Sequence, residues 1–105
     1  MSEGLDRLFA TVAARMGADP SQSYTAKLLA QGVEKCAKKF GEEATETVIA
    51  AIQQDKTELA KESADVLYHL AVLWAASGIT PEDVYAVLKS RETMSGLEEK
   101  ASRKG

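Results

Sequence analysis

Residues 33–78 read VEKCAKKFGEEATETVIAAIQQDKTELAKESADVLYHLAVLWAASG, and two long helical patterns follow one another within them. In the first pattern, apolar residues recur at spacings of three and four, which predicts a helix from Val33 to about Gln54. Its apolar positions are Val33, Ala37, Phe40, Ala44, Val48 and Ala51. Asp55 followed by Glu58 fits a capping-box start for the second helix, which runs to Gly78. Because the link between the two helices is very short, we expect an antiparallel hairpin.

Shorter helical patterns flank this hairpin on both sides. An apolar stripe over residues 5–16 predicts a first helix that Gly17 can end, and residues 24–30 predict a short second helix. Pro81 begins a further helix after the hairpin. The expected fold class is therefore all-α: a four- to five-helix bundle with a long antiparallel central helical hairpin, packed as an oligomer.

Composition limits the classes of protein that this chain can represent. The chain has 105 residues, 45% of them hydrophobic, which predicts a single all-α domain over residues 1–94 and a flexible polar tail over residues 95–105. Its 13 Lys+Arg and 16 Asp+Glu give a net charge of −3, which argues against electrostatic binding to nucleic acid or an anionic membrane. Cys36 has no intrachain disulfide partner, and the longest apolar run, Leu70 to Ala76, is too short to cross a bilayer. We therefore expect a cytoplasmic protein.

Acidic residues recur at helical spacing on both helices of the predicted hairpin. The first helix carries EExxE at Glu42, Glu43 and Glu46, and the second carries ExxD at Glu62 and Asp65. A spacing of three places both acids of a pair on one helix face, so each pair can point across the seam between the helices. Glu62 falls inside the apolar arc of its helix, where a carboxylate is disfavoured unless its charge is compensated.

Two carboxylate pairs on adjacent antiparallel helices form an oxygen-only cage. Such a cage favours Mg²⁺, with Mn²⁺ as an alternative, over zinc or copper. Mg²⁺ keeps coordination positions for phosphate oxygens, which indicates a polyphosphate substrate. A solvated acidic face is the competing interpretation, but it does not explain the position of Glu62. A di-iron bundle is a second alternative, but it needs two Glu-x-x-His motifs and His69 is the single histidine.

Three segments around these acids resemble one family. They read SYTAKLL at residues 23–29, EKCAKKFGEEATE at residues 34–46 and ESADVLYHLAVL at residues 62–73. Together they are similar to the phosphoribosyl-ATP pyrophosphohydrolases of the all-α NTP pyrophosphohydrolase superfamily, over about residues 5–92. The resemblance implies Mg²⁺-dependent hydrolysis of phosphoribosyl-ATP to phosphoribosyl-AMP and pyrophosphate, the second step of histidine biosynthesis. The metal ligands that it implies are Glu43, Glu46, Glu62 and Asp65.

Further residues are candidates for the chemistry of this site. Either Glu46 or Glu42 is expected to take the proton of the attacking water, and the sequence does not choose between them. Lys39 shares a helical column with Glu43 and is the first choice for neutralising phosphate charge, whereas Lys38 is expected to point to solvent. The remaining candidates for substrate contacts are Tyr24, Thr25, Lys27 and Lys35.

The segment over residues 67–76 is apolar on nearly every side. Because a single four-helix monomer would struggle to cover this segment, we expect at least a homodimer. The expected substrate is a small-molecule nucleotide. Neither nucleic acid nor a membrane is expected as a partner. Two alternatives stay open. One is a house-cleaning NTP pyrophosphatase for another nucleotide, since an acidic cage does not report the base or sugar. The other is a non-catalytic helical oligomerisation module.

Overall fold

The computed structural model describes residues 3–92, and every regular element in that part of the chain is an α-helix. In chain order the helices are α1 (Glu3–Ala13), α2 (Tyr24–Ala30), α3 (Val33–Ile52), α4 (Lys56–Ser77) and α5 (Pro81–Arg91). The all-α prediction is confirmed. The tail expected at residues 95–105 lies outside the described residues, so the domain division stays a prediction. No helix within residues 3–92 has the length and apolar character needed to cross a membrane.

Capping interactions fix the ends of the longer helices. The Asp55 carboxylate accepts a hydrogen bond from the Glu58 amide at 3.0 Å, as the sequence predicts for the start of α4. At the start of α5, Thr80 and Asp83 form both hydrogen bonds of a capping box. Each such cap satisfies an amide of the first turn that has no partner within the helix, worth about 1 kcal/mol. Gly78 ends α4 in the left-handed conformation, with φ of 80°.

The helices α3 and α4 form the central antiparallel hairpin and share the largest helix–helix contact of the described chain. The turn between them is short: Gln54 adopts a left-handed φ of 58°, and the Asp55 amide donates to the Ala50 carbonyl at 3.2 Å. The helices α1 and α2 both pack against α4, α2 also contacts α3, and α5 contacts α1. The central hairpin is therefore the scaffold on which the other helices are arranged.

The hydrophobic core lies where α1 and α2 cover one half of the hairpin. Its buried members are Val12, Leu28, Leu29, Cys36, Ala71, Val72 and Ala75. Cys36 donates its Sγ–H to the Leu28 carbonyl at 3.3 Å, which joins α3 to α2 inside this core. Trp74 is also buried, and its indole therefore contributes to packing.

The expectation that a monomer cannot cover residues 67–76 is wrong. Ala71 and Val72 are fully buried within the single chain, and Trp74 and Ala75 are also buried. One monomer therefore covers most of this segment, although Leu67 remains 47% exposed. The homodimer stays a prediction, and this segment does not support it.

The buried face of α3 also differs from the predicted one. Cys36 and Ala50 are buried, and Phe40, Glu43 and Thr47 are half-buried between them. The predicted positions that are exposed instead are Val33, Ala37, Val48 and Ala51. Apolar residues of α3 occupy two neighbouring stripes, and α4 packs against the stripe that contains Cys36 and Ala50. This rotation places Glu43 in the middle of the buried face.

The first helix is shorter than predicted. It ends at Ala13 instead of near Gly17, and Met16 is 52% exposed. The Arg15 and Met16 amides donate to carbonyls three residues earlier, so the chain leaves the helix through tight turns.

Candidate metal centre

Acidic side chains from both helices of the hairpin converge at the seam between α3 and α4. Glu43 of α3 and Glu62 and Asp65 of α4 each offer one carboxylate oxygen, and these three oxygens lie within 4.8 Å of one another. Glu62 and Asp65 are three residues apart, so they project from one face of α4 towards Glu43. The structure thus brings together three of the four predicted metal ligands.

Glu46, the fourth predicted ligand, adjoins this group. Its negative charge raises the pKa of both Glu43 and Glu62, so it belongs to the same electrostatic group. Glu58, one turn before Glu62, lines a small pocket together with Glu46 and Glu62, although it was not among the residues predicted for the site. We call Glu43, Glu46, Glu62 and Asp65 the acidic cluster.

Crowding and burial make ionisation of the acidic cluster unfavourable. The pKa of Glu62 is raised from its ordinary value of 4.5 to about 7. Burial is the largest cause, and the neighbouring Glu46 carboxylate is the next. Burial and the neighbouring Glu46 also raise the pKa of Glu43. Without a compensating positive charge, one proton therefore tends to remain in the cluster near neutral pH.

Within residues 3–92, no ion pair supplies that positive charge. Oε2 of Glu62 is buried and has no hydrogen-bond partner among the described residues. Neither ion pair between described residues, Arg7–Glu3 or Lys39–Glu42, involves the cluster. An orphaned carboxylate oxygen within an oxygen-only donor set fits a hard divalent cation.

Lys39 and Glu42 lie on the exposed side of α3 next to the cluster. Their side chains pair at 3.5 Å, and both are partly exposed. A surface pocket of about 410 Å³ over α3 is lined by Lys39, Glu42, Glu43, Thr45 and Glu46. Lys39 therefore lines the same depression as two acids of the cluster, as its helical column predicts.

A second pocket, of about 350 Å³, lies between α2 and α3. It is lined by Tyr24, Lys27, Leu28, Gln31, Lys35, Lys38, Lys39 and Glu42. We call it the lysine pocket. Because it shares Lys39 and Glu42 with the pocket over the acidic cluster, the two pockets are neighbours on one surface.

The lysine pocket brings together most of the residues predicted to contact substrate, and it adds two. The predicted residues that line it are Tyr24, Lys27, Lys35 and Lys39. Lys38 is exposed, as expected, and it also lines the edge of this pocket. Its spacing of three from Lys35 was a usable signal. Gln31, at the end of α2, was not singled out because nothing in the sequence places α2 beside α3.

Thr25 has a different neighbour from the other candidates. Its hydroxyl is hydrogen-bonded to the hydroxyl of Tyr68, which ties α2 to α4. His69, next in sequence, is 6% exposed and its Nδ1 has no hydrogen-bond partner among the described residues. Burial and the charge of Lys39 lower the pKa of His69, which places a neutral imidazole beneath the surface that carries Lys39 and Glu42.

Known proteins are similar to this chain over nearly its whole length. A family model described as phosphoribosyl-ATP pyrophosphohydrolase matches residues 5–92. A phosphoribosyl-ATP pyrophosphatase of Cereibacter sphaeroides is 61% identical over 99 residues, which cover 94% of this chain and 96% of the relative. The proteins of the same name from Parvibaculum lavamentivorans and Azospirillum brasilense are 63% and 59% identical. The similarity to the Parvibaculum protein covers 94% of this chain and 91% of that protein. The similarity to the Azospirillum protein covers 95% of this chain and 90% of that protein.

Proposed function

The chain belongs to the phosphoribosyl-ATP pyrophosphohydrolase family, and on this premise we propose that it hydrolyses phosphoribosyl-ATP to phosphoribosyl-AMP and pyrophosphate in histidine biosynthesis. The main structural support is the acidic cluster with the orphaned Glu62 oxygen, next to the lysine pocket. Phosphoanhydride hydrolysis depends mainly on positioning and on charge neutralisation around the phosphates. An acidic metal site beside several ammonium groups supplies both.

The proposed cofactor is Mg²⁺, with Mn²⁺ as an alternative. The ligands would be the four members of the acidic cluster, Glu43, Glu46, Glu62 and Asp65. When bound, the divalent cation neutralises phosphate charge and lowers the pKa of a water molecule. The chain contributes by holding its carboxylates close together in advance, so that little reorganisation is needed on loading.

The remaining roles fall to side chains around the cluster. Water attack on the α–β phosphoanhydride breaks that P–O bond and releases pyrophosphate. Of the two candidates for accepting the water proton, Glu46 fits better because it adjoins Glu43 and Glu62, whereas Glu42 pairs with Lys39. General-base assistance of this kind is worth roughly 10² to 10⁴ in rate. Lys39 contacts a phosphate once it leaves its exposed pairing with Glu42.

Product analysis tests this function directly. The purified protein is incubated with Mg²⁺ and either phosphoribosyl-ATP or each ordinary NTP, and pyrophosphate and orthophosphate are measured separately. We expect pyrophosphate from phosphoribosyl-ATP, in preference to the NTPs. Turnover of an ordinary NTP but not of phosphoribosyl-ATP would favour a house-cleaning pyrophosphatase. Absence of pyrophosphate from every substrate would leave the non-catalytic module.

A homodimer in the cytoplasm is the assembly and location that we propose for this enzyme. Val48, Ile49 and Ile52 on the open side of α3 are 56%, 47% and 74% exposed, an apolar surface that a second copy would cover. The free thiol of Cys36 fits a reducing compartment. Light scattering is expected to give twice the chain mass, and Ile52→Glu is expected to give a monomer. Ile79→Glu, at a 38% exposed position, is the control. A monomeric wild type would exclude the dimer.

A further inference from the structure

Three lysines of the lysine pocket pair with no carboxylate in the part of the chain that the structure describes. Lys27, Lys35 and Lys38 form no ion pair with any carboxylate among residues 3–92, whereas Lys39 pairs with Glu42. Four lysines line one depression of about 350 Å³, and their positive charge would attract a bound anion. The pocket also offers the Gln31 amide as a neutral hydrogen-bond donor.

The lysine pocket is displaced along α3 from the acidic cluster. Lys35 and Lys38 precede Glu43 by eight and five residues, which corresponds to about 12 Å and 7.5 Å along the helix axis. Lys39 lies between them and the cluster and lines both pockets. A phosphate chain held at the cluster would therefore meet Lys39 first, and Lys35 and Lys38 lie farther along α3 from the cluster.

Phosphoribosyl-ATP has an anionic group at such a distant position. Its triphosphate is on one ribose, and a phosphomonoester is on a second ribose attached to the adenine base. We propose that Lys27, Lys35 and Lys38 bind this phosphomonoester, so that the lysine pocket determines specificity for phosphoribosyl-ATP over ordinary NTPs. This inference rests on the proposed function. It adds Lys38 as a specificity-determining residue and gives the pocket a ligand separate from the scissile phosphates.

The product phosphoribosyl-AMP provides a test that requires neither metal nor turnover. Its affinity is measured by calorimetry in EDTA for the wild type, Lys38→Ala and Lys35→Ala. The same titrations use the product with its ribosyl phosphate removed. Alanine is the best helix former, so these exposed substitutions are expected to leave α3 intact. Lys89→Ala on α5 removes the same charge from an exposed position and is the matched control.

A thermodynamic cycle isolates the contact between lysine and phosphate. We expect Lys38→Ala to weaken phosphoribosyl-AMP binding about tenfold or more, as for other charge-assisted contacts. The dephosphorylated product is expected to bind the wild type and Lys38→Ala equally, and Lys89→Ala is expected to bind both ligands as the wild type does.

Two results would overturn the inference. One is an equal loss of affinity for the two ligands in Lys38→Ala, since the lysine would then act on another part of the nucleotide. The other is unchanged affinity for both ligands. If either occurs while the wild type still releases pyrophosphate from phosphoribosyl-ATP, the subsite assignment fails and the proposed function stands. If no pyrophosphate is released, the proposed function itself fails.

Discussion

The two halves of the α3–α4 hairpin are packed in different ways. In the packed half, residues 33–41 and 68–77, α1 and α2 cover the hairpin, and Ala71 and Val72 are fully buried. In the acidic half, residues 42–52 and 56–67, the seam holds half-buried Glu43 and Glu62, and Ile52 is 74% exposed. Both halves belong to the same two helices. They differ in what covers them and in what their facing side chains can do.

The comparison indicates that stability and chemistry are separated along one hairpin. Burial of apolar side chains in the packed half stabilises the fold. Carboxylates crowded in the acidic half oppose folding, as the raised pKa values of Glu43 and Glu62 indicate. Sites built for function commonly reduce stability in this way, and the rest of the fold has to compensate.

The largest expected effect comes from Glu62→Gln in the acidic half. This change keeps the shape of the side chain but removes the charge of a proposed metal ligand, so pyrophosphate release should fall at least about 100-fold. The thermal midpoint of the metal-free protein should not fall, because the repulsion within the cluster is reduced. Glu82→Gln, in the exposed first turn of α5, is the matched control. If Glu62→Gln turned over substrate about as fast as the control, the chemistry would not depend on the acidic half of the hairpin.

The converse change, in the packed half, is Val72→Ala. Val72 is 0% exposed, so loss of two methyl groups and the resulting cavity should cost roughly 2 kcal/mol of unfolding free energy. Urea unfolding measures the loss, and Val87→Ala at a 46% exposed position should change stability by less than about 0.5 kcal/mol. Turnover per folded molecule should be unchanged at low temperature. A large loss of turnover in folded Val72→Ala would show that the halves are not separate.

The acidic half should also impose its own pH dependence on stability. Between pH 4.5 and about 7, the folded protein holds a proton on Glu62 that the unfolded chain has released. Stability of the metal-free protein should therefore fall as the pH rises through this window, with the full cost present above it. Burial lowers the pKa of His69, which acts in the opposite sense. The informative quantity is thus the wild-type thermal midpoint minus that of Glu62→Gln, measured from pH 5 to pH 8. A difference independent of pH would contradict the assignment.

The smallest expected effect concerns the contact between α2 and α4 near the boundary of the two halves. Tyr68→Phe removes the hydroxyl that is hydrogen-bonded to Thr25, which should cost about 1 kcal/mol of unfolding free energy. Because neither hydroxyl lines the lysine pocket, KM for phosphoribosyl-ATP should stay within about twofold of the wild type. A much larger rise in KM would assign Thr25 or Tyr68 to substrate binding. Tyr85→Phe, which removes the hydrogen bond from Tyr85 to Asp6, is a control for loss of a tertiary hydroxyl contact.

Local signals in the sequence predicted the hairpin and its acids well. Asp55 and Gly78 bound α4 as expected, because caps depend on residues close in the chain. The convergence of Glu43, Glu62 and Asp65 followed from spacing and from the short turn. These features need no knowledge of the other helices.

Features that depend on how separate helices pack were not predictable in the same way. The inward face of α3 was misassigned because its apolar residues form two stripes, and only the position of α4 selects Cys36 and Ala50. The pocket beside Lys38 was not predicted because α2, which packs beside α3, forms its other wall. Coverage of residues 67–76 similarly depends on the path of α1. In each case the sequence lacked information about which helices pack against one another in the tertiary structure.

The four carboxylates of the acidic cluster, Glu43, Glu46, Glu62 and Asp65, are proposed to hold a divalent cation together. Titration of the metal-free protein with Mn²⁺ at pH 8, followed by the electron paramagnetic resonance signal of free Mn²⁺, counts bound ions directly. We expect saturable binding by the wild type and by Glu82→Gln, competition by Mg²⁺, and affinity reduced at least about tenfold in Glu62→Gln. Equal affinity in the wild type and Glu62→Gln, or no binding by the wild type, would contradict this proposal.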